Sequence, residues 1–181
     1  MRIFYVFILV MVFATSSAFT LKDTLYDRVG QQYGIHPALL YALTLAESAT
    51  GTGDRISIQP WPYTIRTTKG PELFTTQEAA IARLGELLDV EKHPNIDIGL
   101  AQINYYWHHQ KISNIAELMD PEKNLIIAAE ILNEGCKSAN SLKQCIARYN
   151  SWRATDASRA YAERVLAYYQ SILTLIQETD E

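Results

Sequence analysis

A chain of 181 residues is long enough for one domain with a sizeable hydrophobic core. Its hydrophobic content of 48% and charged content of 20% are ordinary for a globular protein. The formal net charge of −4 argues against a nucleic-acid partner, for which a basic patch is expected. No internal repeat, low-complexity tract or Pro/Gly/Ser-rich linker divides the chain, so we expect one domain.

The first 18 residues predict a cleaved secretory signal. Arg2 provides a basic start, an apolar run follows over residues 3–14, and small residues lead to Ala18, where we expect cleavage. The apolar run is short for a membrane span, which needs about 20 residues, although an uncleaved anchor is the alternative. We therefore expect residues 19–181 to form an exported, periplasmic domain.

Apolar residues at helical spacing predict a mainly α domain with a small β-hairpin insertion. Helices are expected over residues 21–33 and 37–48, and the alternating stretches 56–58 and 63–66 are expected to be strands. A capping box at 75–78 predicts a further helix to about Asp89, and residues 97–104 are expected to form a loop with a short turn. The next helix should begin at Asp120-Pro121, run to about Glu134 and end at Gly135. Two more helices are expected, one over 141–149 and a last one capped by Thr155 or Asp156.

The chain has two cysteines, Cys136 and Cys145, and both lie after the predicted signal. In an oxidising compartment they should form a disulfide between the end of one helix and the next. Two buried free thiols are the alternative. We expect no metal site, because neither His nor further Cys stands at ligand spacing.

Glu47 differs most from its surroundings. It lies on the stripe of Leu39 and Leu43 in an almost wholly apolar helix, so its carboxyl group should project from a face packed into the core. Burying an isolated carboxylate is costly and raises its pKa, as a general acid near neutral pH requires. We therefore predict that Glu47 is a general acid.

Three short segments follow one another along the chain: Glu47-Ser48, residues 99–104 with the sequence Gly-Leu-Ala-Gln-Ile-Asn, and residues 147–150 with the sequence Ala-Arg-Tyr-Asn. Together they resemble the lysozyme-like lytic transglycosylases of the soluble (SLT) type, which carry Glu-Ser, Gly-Leu-Met-Gln-Ile-Asn-like and Ala-Tyr-Asn-like segments in this order. The resemblance spans about residues 21–169 and implies a lysozyme-like helical domain. Residues 59–65 are also similar to a Pro-Trp-Pro-Trp-Thr insertion of transglycosylases that accompany conjugation and secretion machinery.

The resemblance implies that the substrate is the glycan strand of peptidoglycan. The β-1,4 bond between N-acetylmuramic acid and N-acetylglucosamine would be cleaved without water, leaving a 1,6-anhydro end. Glu47 would protonate the glycosidic oxygen and then accept the proton of the C6 hydroxyl group as this attacks the anomeric carbon. The tethered hydroxyl and the sugar's own acetamido group make an enzymic nucleophile unnecessary, and we expect no cofactor.

The resemblance also carries over a set of substrate-binding residues. Ser48 would bond the acetamido group or the Glu47 carboxyl group, and Tyr149 would steer the Glu47 proton. Gly99 would let the loop backbone approach the sugar. The alternative for Ser48, Gln102 and Asn104 is a hydrogen bond to the backbone, and the alternative for Tyr149 is core packing. For Asn150 a structural role is the preferred interpretation. The full set is Ser48, Gly99, Gln102, Asn104, Tyr149 and Asn150.

Sugar rings stack on aromatic faces, so exposed aromatic residues could line a groove. The candidates are Trp61, Tyr63 and Tyr105, followed by Tyr106 and Trp107, with core packing as the alternative for each. The chain departs from the family pattern at Ala49, Ala101 and Ser151-Trp152, where Gly, Met and Ala-Gly are usual. These departures bear on the shape of the substrate subsites and leave the proposed acid in place.

Two further functions remain open. A hydrolytic, goose-type-like lysozyme would use a second carboxylate, for which Asp54 and Asp97 are the candidates. We expect turn or cap roles for both and so favour the one-carboxylate mechanism. The other alternative is a non-catalytic wall-binding component of an envelope-spanning conjugation or secretion system, and components of such a system are possible partners in either case.

Overall fold

The computed structural model describes residues 19–51 and 58–180. The predicted signal, Asp54 and most of the predicted strand at 56–58 lie outside the described residues. The bounds of the elements are α1 Leu25–Tyr33, α2 Pro37–Ser48, β1 Ala49–Gly51, β2 Ile58–Pro60, β3 Thr64–Thr67, β4 Gly70–Leu73, α3 Gln77–Val90, β5 Asp97–Ile98, β6 Ile103–Asn104, α4 Tyr105–His108, α5 Pro121–Cys136, α6 Leu142–Asn150 and α7 Asp156–Asp180, with 3-10 turns at His109–Lys111 and Ile115–Met119. The mainly α architecture predicted from the sequence is confirmed.

The apolar helix α2 lies at the centre of the helical core. It begins at Pro37, and the His36 ring caps it by accepting the Ala38 N–H at 3.2 Å. It packs against α1 and α7, and α5 packs against α1 and α6. Leu40 and Leu43 are completely buried, and each stabilises the fold by roughly 1.5–3 kcal/mol through burial alone.

The β structure is larger than the predicted hairpin. Strands β1 and β2 form one antiparallel pair directly after α2, and the order β4-β3-β5-β6 forms a four-stranded antiparallel sheet. Ile65 pairs with Ile98, and Ile98 pairs with Ile103, so three buried isoleucines join the insertion to the later segment. Residues 97–104, predicted as a loop and short turn, are therefore a tight hairpin.

Two helix ends differ from the prediction for clear physical reasons. Helix α1 begins at Leu25 rather than at 21, because Thr24 caps it by accepting the Asp27 N–H. Gly135 does not end α5, which continues to Cys136. A Cβ at Gly135 would lie 3.2 Å from Arg148 Cβ, so glycine serves the close approach of α6.

The predicted disulfide between Cys136 and Cys145 is present. It joins the end of α5 to α6, the helix that carries the third segment of the resemblance. Within residues 19–51 and 58–180, no helix combines the length and apolar character needed to cross a bilayer.

Candidate active site

Glu47, at the C-terminal end of α2, lines a cavity of about 230 Å³. The β5–β6 hairpin contributes to the wall of this cavity, and so does the end of α6. The three sequence segments of the resemblance therefore meet around one carboxyl group. The lining residues are Glu47, Asp97, Gln102, Ile103, Asn104, Trp107, His108, Ile131, Tyr149 and Asn150.

The surroundings of Glu47 favour the protonated form of its carboxyl group. Its side chain is half-buried rather than packed into the core, because α2 ends here and the side chain reaches the cavity. Burial raises the pKa of Glu47 to about 7, with a hydroxyl interaction from Tyr161 opposing the rise and the charge of Asp97 adding to it. The charges of Arg164 and Arg66 also lower it. The net shift has the direction that the sequence predicts.

Tyr161 is part of this site, although the sequence placed it only on the inward stripe of α7. It is 3% exposed, and its hydroxyl group has no hydrogen bond of normal geometry to any described residue. The hydroxyl nevertheless interacts with the Glu47 carboxyl group, and the pKa of Tyr161 lies well above its ordinary value because of burial. In the sequence, the only indication that Tyr161 could belong to the site was its place on the inward stripe of the last helix.

Asp97 is a second carboxylate in the same cavity, contrary to the turn or cap role expected from the sequence. It lies on β5, and its Oδ1 accepts a hydrogen bond of 2.8 Å from Asn104 Nδ2. Burial raises its pKa, while the Asn104 hydrogen bond and the Arg66 charge oppose the rise. The pairing of β5 with β3 and β6 brings Asp97 to the wall of this cavity, and the loop predicted for residues 97–104 gave no indication of that position.

Ser48 and Tyr149 hold the hairpin between the ends of two helices. Ser48 Oγ donates to the Leu100 carbonyl oxygen at 2.6 Å, and Tyr149 Oη donates to the Ala101 carbonyl oxygen at 2.8 Å. Neither hydroxyl bonds the Glu47 carboxyl group among the described contacts. Their observed role is to position the hairpin, and direct contact with substrate stays a prediction.

The two amide residues of the hairpin also stabilise it internally. Gln102 has a φ of 47°, and its Nε2 donates to the carbonyl oxygens of Gly99 and Thr64. Its buried Oε1 has no partner among the described residues. Asn104 caps α4 by accepting the Trp107 N–H, and its Nδ2 donates to Asp97. Both residues line the cavity, as does the exposed Asn150.

Asn124 on α5 is a positioning residue that sequence reasoning missed. It is completely buried, its Oδ1 accepts the Ala101 N–H at 2.8 Å, and its Nδ2 donates to the carbonyl oxygens of Ile98 and Leu118 at 2.9 Å. A Cβ at Gly99 would lie 2.3 Å from Asn124 Nδ2, so glycine here serves internal packing. An amide on the apolar face of α5 was the signal for Asn124.

The comparison with known families agrees with this geometry. A family model described as Transglycosylase SLT domain matches residues 25–164, well over half of the chain. The chain belongs to this family. Membership supports lytic transglycosylase activity on peptidoglycan, and the lysozyme-like fold expected from the sequence is confirmed. No curated protein and no solved structure matches the chain significantly.

The aromatic residues predicted to line a groove differ in their positions relative to the Glu47 cavity. Trp61 Nε1 donates to the Phe74 carbonyl oxygen at 2.8 Å, and its ring lies edge-on to Tyr63. Neither residue lines the Glu47 cavity, and Tyr105 does not line it either. Trp107 lines it and is 73% exposed. The contacts of Trp61 and Tyr63 lie within the insertion, and stacking of these rings on a sugar stays a prediction.

In the part of the SLT domain that the structure describes, no group of three or more His, Cys, Asp or Glu side chains is placed to hold a metal ion. In the cavity, Asp97 accepts a hydrogen bond from the Asn104 amide, and Glu47 interacts with the Tyr161 hydroxyl group. This arrangement is suited to proton transfer.

Proposed function

We propose that this SLT domain is an exported lytic transglycosylase that cleaves the MurNAc-β-1,4-GlcNAc bond of peptidoglycan and leaves a 1,6-anhydroMurNAc end. One observation carries the proposal: Glu47 has its pKa raised to about 7 and lines a cleft formed by the three family segments. At this pKa roughly half of the carboxyl groups hold a proton at neutral pH, so the group can both donate a proton and accept one.

The reaction needs one group that first donates and then accepts a proton. Glu47 protonates the glycosidic oxygen while the bond between this oxygen and C1 of the muramoyl residue breaks. The C6 hydroxyl group then bonds to C1, and its proton returns to Glu47, so the enzyme is restored without consuming water. General acid–base catalysis of this kind contributes about 10²–10⁴ in rate.

The neighbouring residues support the transition state in distinct ways. The ionised Asp97 would stabilise positive charge developing at the anomeric carbon, and it also keeps the pKa of Glu47 high. Gln102 lines the cavity, and its Nε2 fixes the hairpin by donating to the carbonyl oxygens of Gly99 and Thr64. Ser48 and Tyr149 hold the hairpin that presents both groups.

Hydrolysis is a second candidate function, and Asp97 specifically favours it. A second carboxylate in the cavity of the acid could activate water, as in enzymes that use a carboxylate pair. The products separate the two functions, because hydrolysis leaves reducing ends and transglycosylation leaves anhydro ends. Binding to the wall without catalysis is a weaker candidate, because it requires no carboxyl group with a raised pKa.

The decisive experiment is digestion of purified sacculi with product analysis by mass spectrometry. We expect anhydro-muropeptides from the wild type and a loss of activity of at least about 100-fold in Glu47→Gln, which keeps the shape and cannot exchange the proton. Glu78→Gln is the matched control, since Glu78 is exposed on α3. Full activity in Glu47→Gln would refute both enzymatic functions, and reducing ends alone would favour hydrolysis.

Export and a role beside a conjugation or secretion apparatus are further parts of the proposal. The signal-like residues 1–18 support periplasmic localisation, and the segment 59–65 supports the association with an envelope-spanning system. The intact mass of the protein recovered from a periplasmic fraction should correspond to residues 19–181. Recovery of the uncut chain in the membrane fraction would instead indicate an anchor.

A further inference from the structure

A second and larger cavity of about 730 Å³ adjoins the cavity of Glu47. The two share much of their lining, including Asn104, Trp107 and Tyr149. The larger one extends over the end of α6 and the following segment, where Trp152 and Arg153 contribute to its wall.

The two cavities carry opposite charges. Glu47 and Asp97 line the smaller one, and no Lys or Arg is among the described residues that line it. Arg148 and Arg153 line the larger one, which has no Asp or Glu among the described residues of its wall. Two cations at one end of the cleft stand out in a chain whose net charge is −4. Such a surface is complementary to an anionic ligand.

The basic end of the cleft is formed by Arg148, Trp152 and Arg153. It combines a tryptophan ring that is held in place with an arginine that has no partner among the described residues. Arg148 Nη1 donates to the Gly135 carbonyl oxygen at 3.0 Å and to Ser138 Oγ at 2.9 Å, and its guanidinium lies 5.3 Å from the centre of the Trp152 ring. Trp152 is held in this way and is still 65% exposed. The exposed Arg153 guanidinium makes no hydrogen bond or ion pair with any described residue.

We propose that this larger cavity binds the acidic peptide stem of a muramoyl residue next to the cleaved bond, with the Arg153 guanidinium pairing with a stem carboxylate. The inference rests on the proposed function. N-acetylated sugars of the strand are neutral, so its carboxylates belong to the peptide stems, and a planar guanidinium matches a carboxylate well. Trp107 and Trp152 provide apolar faces for the adjoining sugar ring and the stem.

The test compares peptide-bearing glycan strands with the same strands after carbodiimide coupling to methylamine has converted the stem carboxylates to neutral amides. We expect the wild type to prefer the strands with free stem carboxylates, and Arg153→Gln to lower the ratio of the two kcat/KM values by about two- to tenfold, mainly through KM. Arg153→Lys should keep part of the preference. Arg28→Gln, which removes an exposed arginine on α1, is the matched control and should leave the ratio unchanged.

Binding separates this inference from the proposed function. In the Glu47→Gln background, a soluble disaccharide-peptide should bind more tightly than the same compound with its stem carboxylates amidated, and Arg153→Gln should reduce this difference. If the enzyme makes anhydro ends but Arg153→Gln changes neither the ratio nor the binding difference, the peptide-stem site is wrong and the transglycosylase stands. If Glu47→Gln remains active, the proposed function fails, and the binding difference still decides the stem site.

Discussion

Glu47 combines a sequence signal with an environment that only the fold creates. Its position on an apolar helix predicts core burial and a raised pKa; the structure shows a half-buried side chain at a cavity and a pKa raised to about 7. The pKa of about 7 is a balance, because burial and the Asp97 charge raise it while Tyr161, Arg164 and Arg66 lower it. Such a balance makes the pH dependence of activity adjustable by single substitutions.

The pH profile of kcat/KM should respond in opposite directions to two substitutions. For the wild type we expect a fall of about tenfold per pH unit above about pH 7, as Glu47 loses its proton. Asp97→Asn removes a charge that raises the pKa of Glu47, so the fall should begin at lower pH. Tyr161→Phe removes a hydroxyl that lowers this pKa, so the fall should begin at higher pH.

The measurement is kcat/KM on soluble glycan strands from about pH 5 to about pH 9. Tyr168→Phe, on the same helix and half-buried, is the control for loss of a phenol hydroxyl. Shifts of Asp97→Asn and Tyr161→Phe in the same direction would contradict the assignment of the alkaline limb to Glu47.

At the scale of elements, the β5–β6 hairpin organises the site. Ser48 from α2, Tyr149 from α6 and Asn124 from α5 each bond its backbone, so three helices determine where the hairpin lies. Gly99 permits this arrangement, because its φ is 81° and a Cβ would lie 2.3 Å from the Leu118 carbonyl oxygen. The hairpin should therefore tolerate no side chain at this position.

Gly99→Ala should destabilise the protein by about 2–4 kcal/mol, since it adds both a left-handed backbone penalty and a steric clash. Gly85→Ala is the matched control: nothing lies within 4 Å of a Cβ there, and the position is inside α3. The control should be stabilised by up to about 1 kcal/mol. Urea unfolding measures both, and equal effects of the two substitutions would show that the packing at Gly99 is not tight.

At the scale of the whole molecule, the candidate acid reduces stability at neutral and higher pH. The pKa of Glu47 is about 7 in the folded protein and 4.5 ordinarily, so between these values the unfolded chain releases a proton that the folded protein keeps. Stability therefore falls as pH rises through this window, by at most about 3 kcal/mol. Below about pH 4.5 both states hold the proton and the effect vanishes.

Glu47→Gln should therefore raise the Tm of the protein at about pH 8 and leave it nearly unchanged at about pH 4, because the amide cannot ionise. Thermal unfolding of the wild type, Glu47→Gln and the exposed control Glu78→Gln at both pH values is the measurement. A Tm difference between Glu47→Gln and the wild type that does not grow with pH would show that burial does not oppose ionisation of Glu47.

Local patterns account for much of the fold. The start of α2 at Pro37, the left-handed Gly34 after α1 and the inward residues Tyr161 and Val165 of α7 follow from capping, glycine geometry and helical spacing. Long-range contacts account for the errors. Residues 97–104 form a hairpin because β3 pairs with β5. This pairing joins residues about 30 positions apart, so the local sequence pattern of 97–104 does not predict it.

The sequence by itself determined a mainly α domain, the Cys136–Cys145 disulfide and the candidate acid Glu47, because each depends on local spacing or on a residue type out of place. Only the tertiary structure decided that Asp97 and Tyr161 face Glu47, and that Asn124 holds the hairpin. These contacts join residues far apart in the chain, and a pKa or a buried hydrogen bond depends on which groups packing brings together rather than on their order.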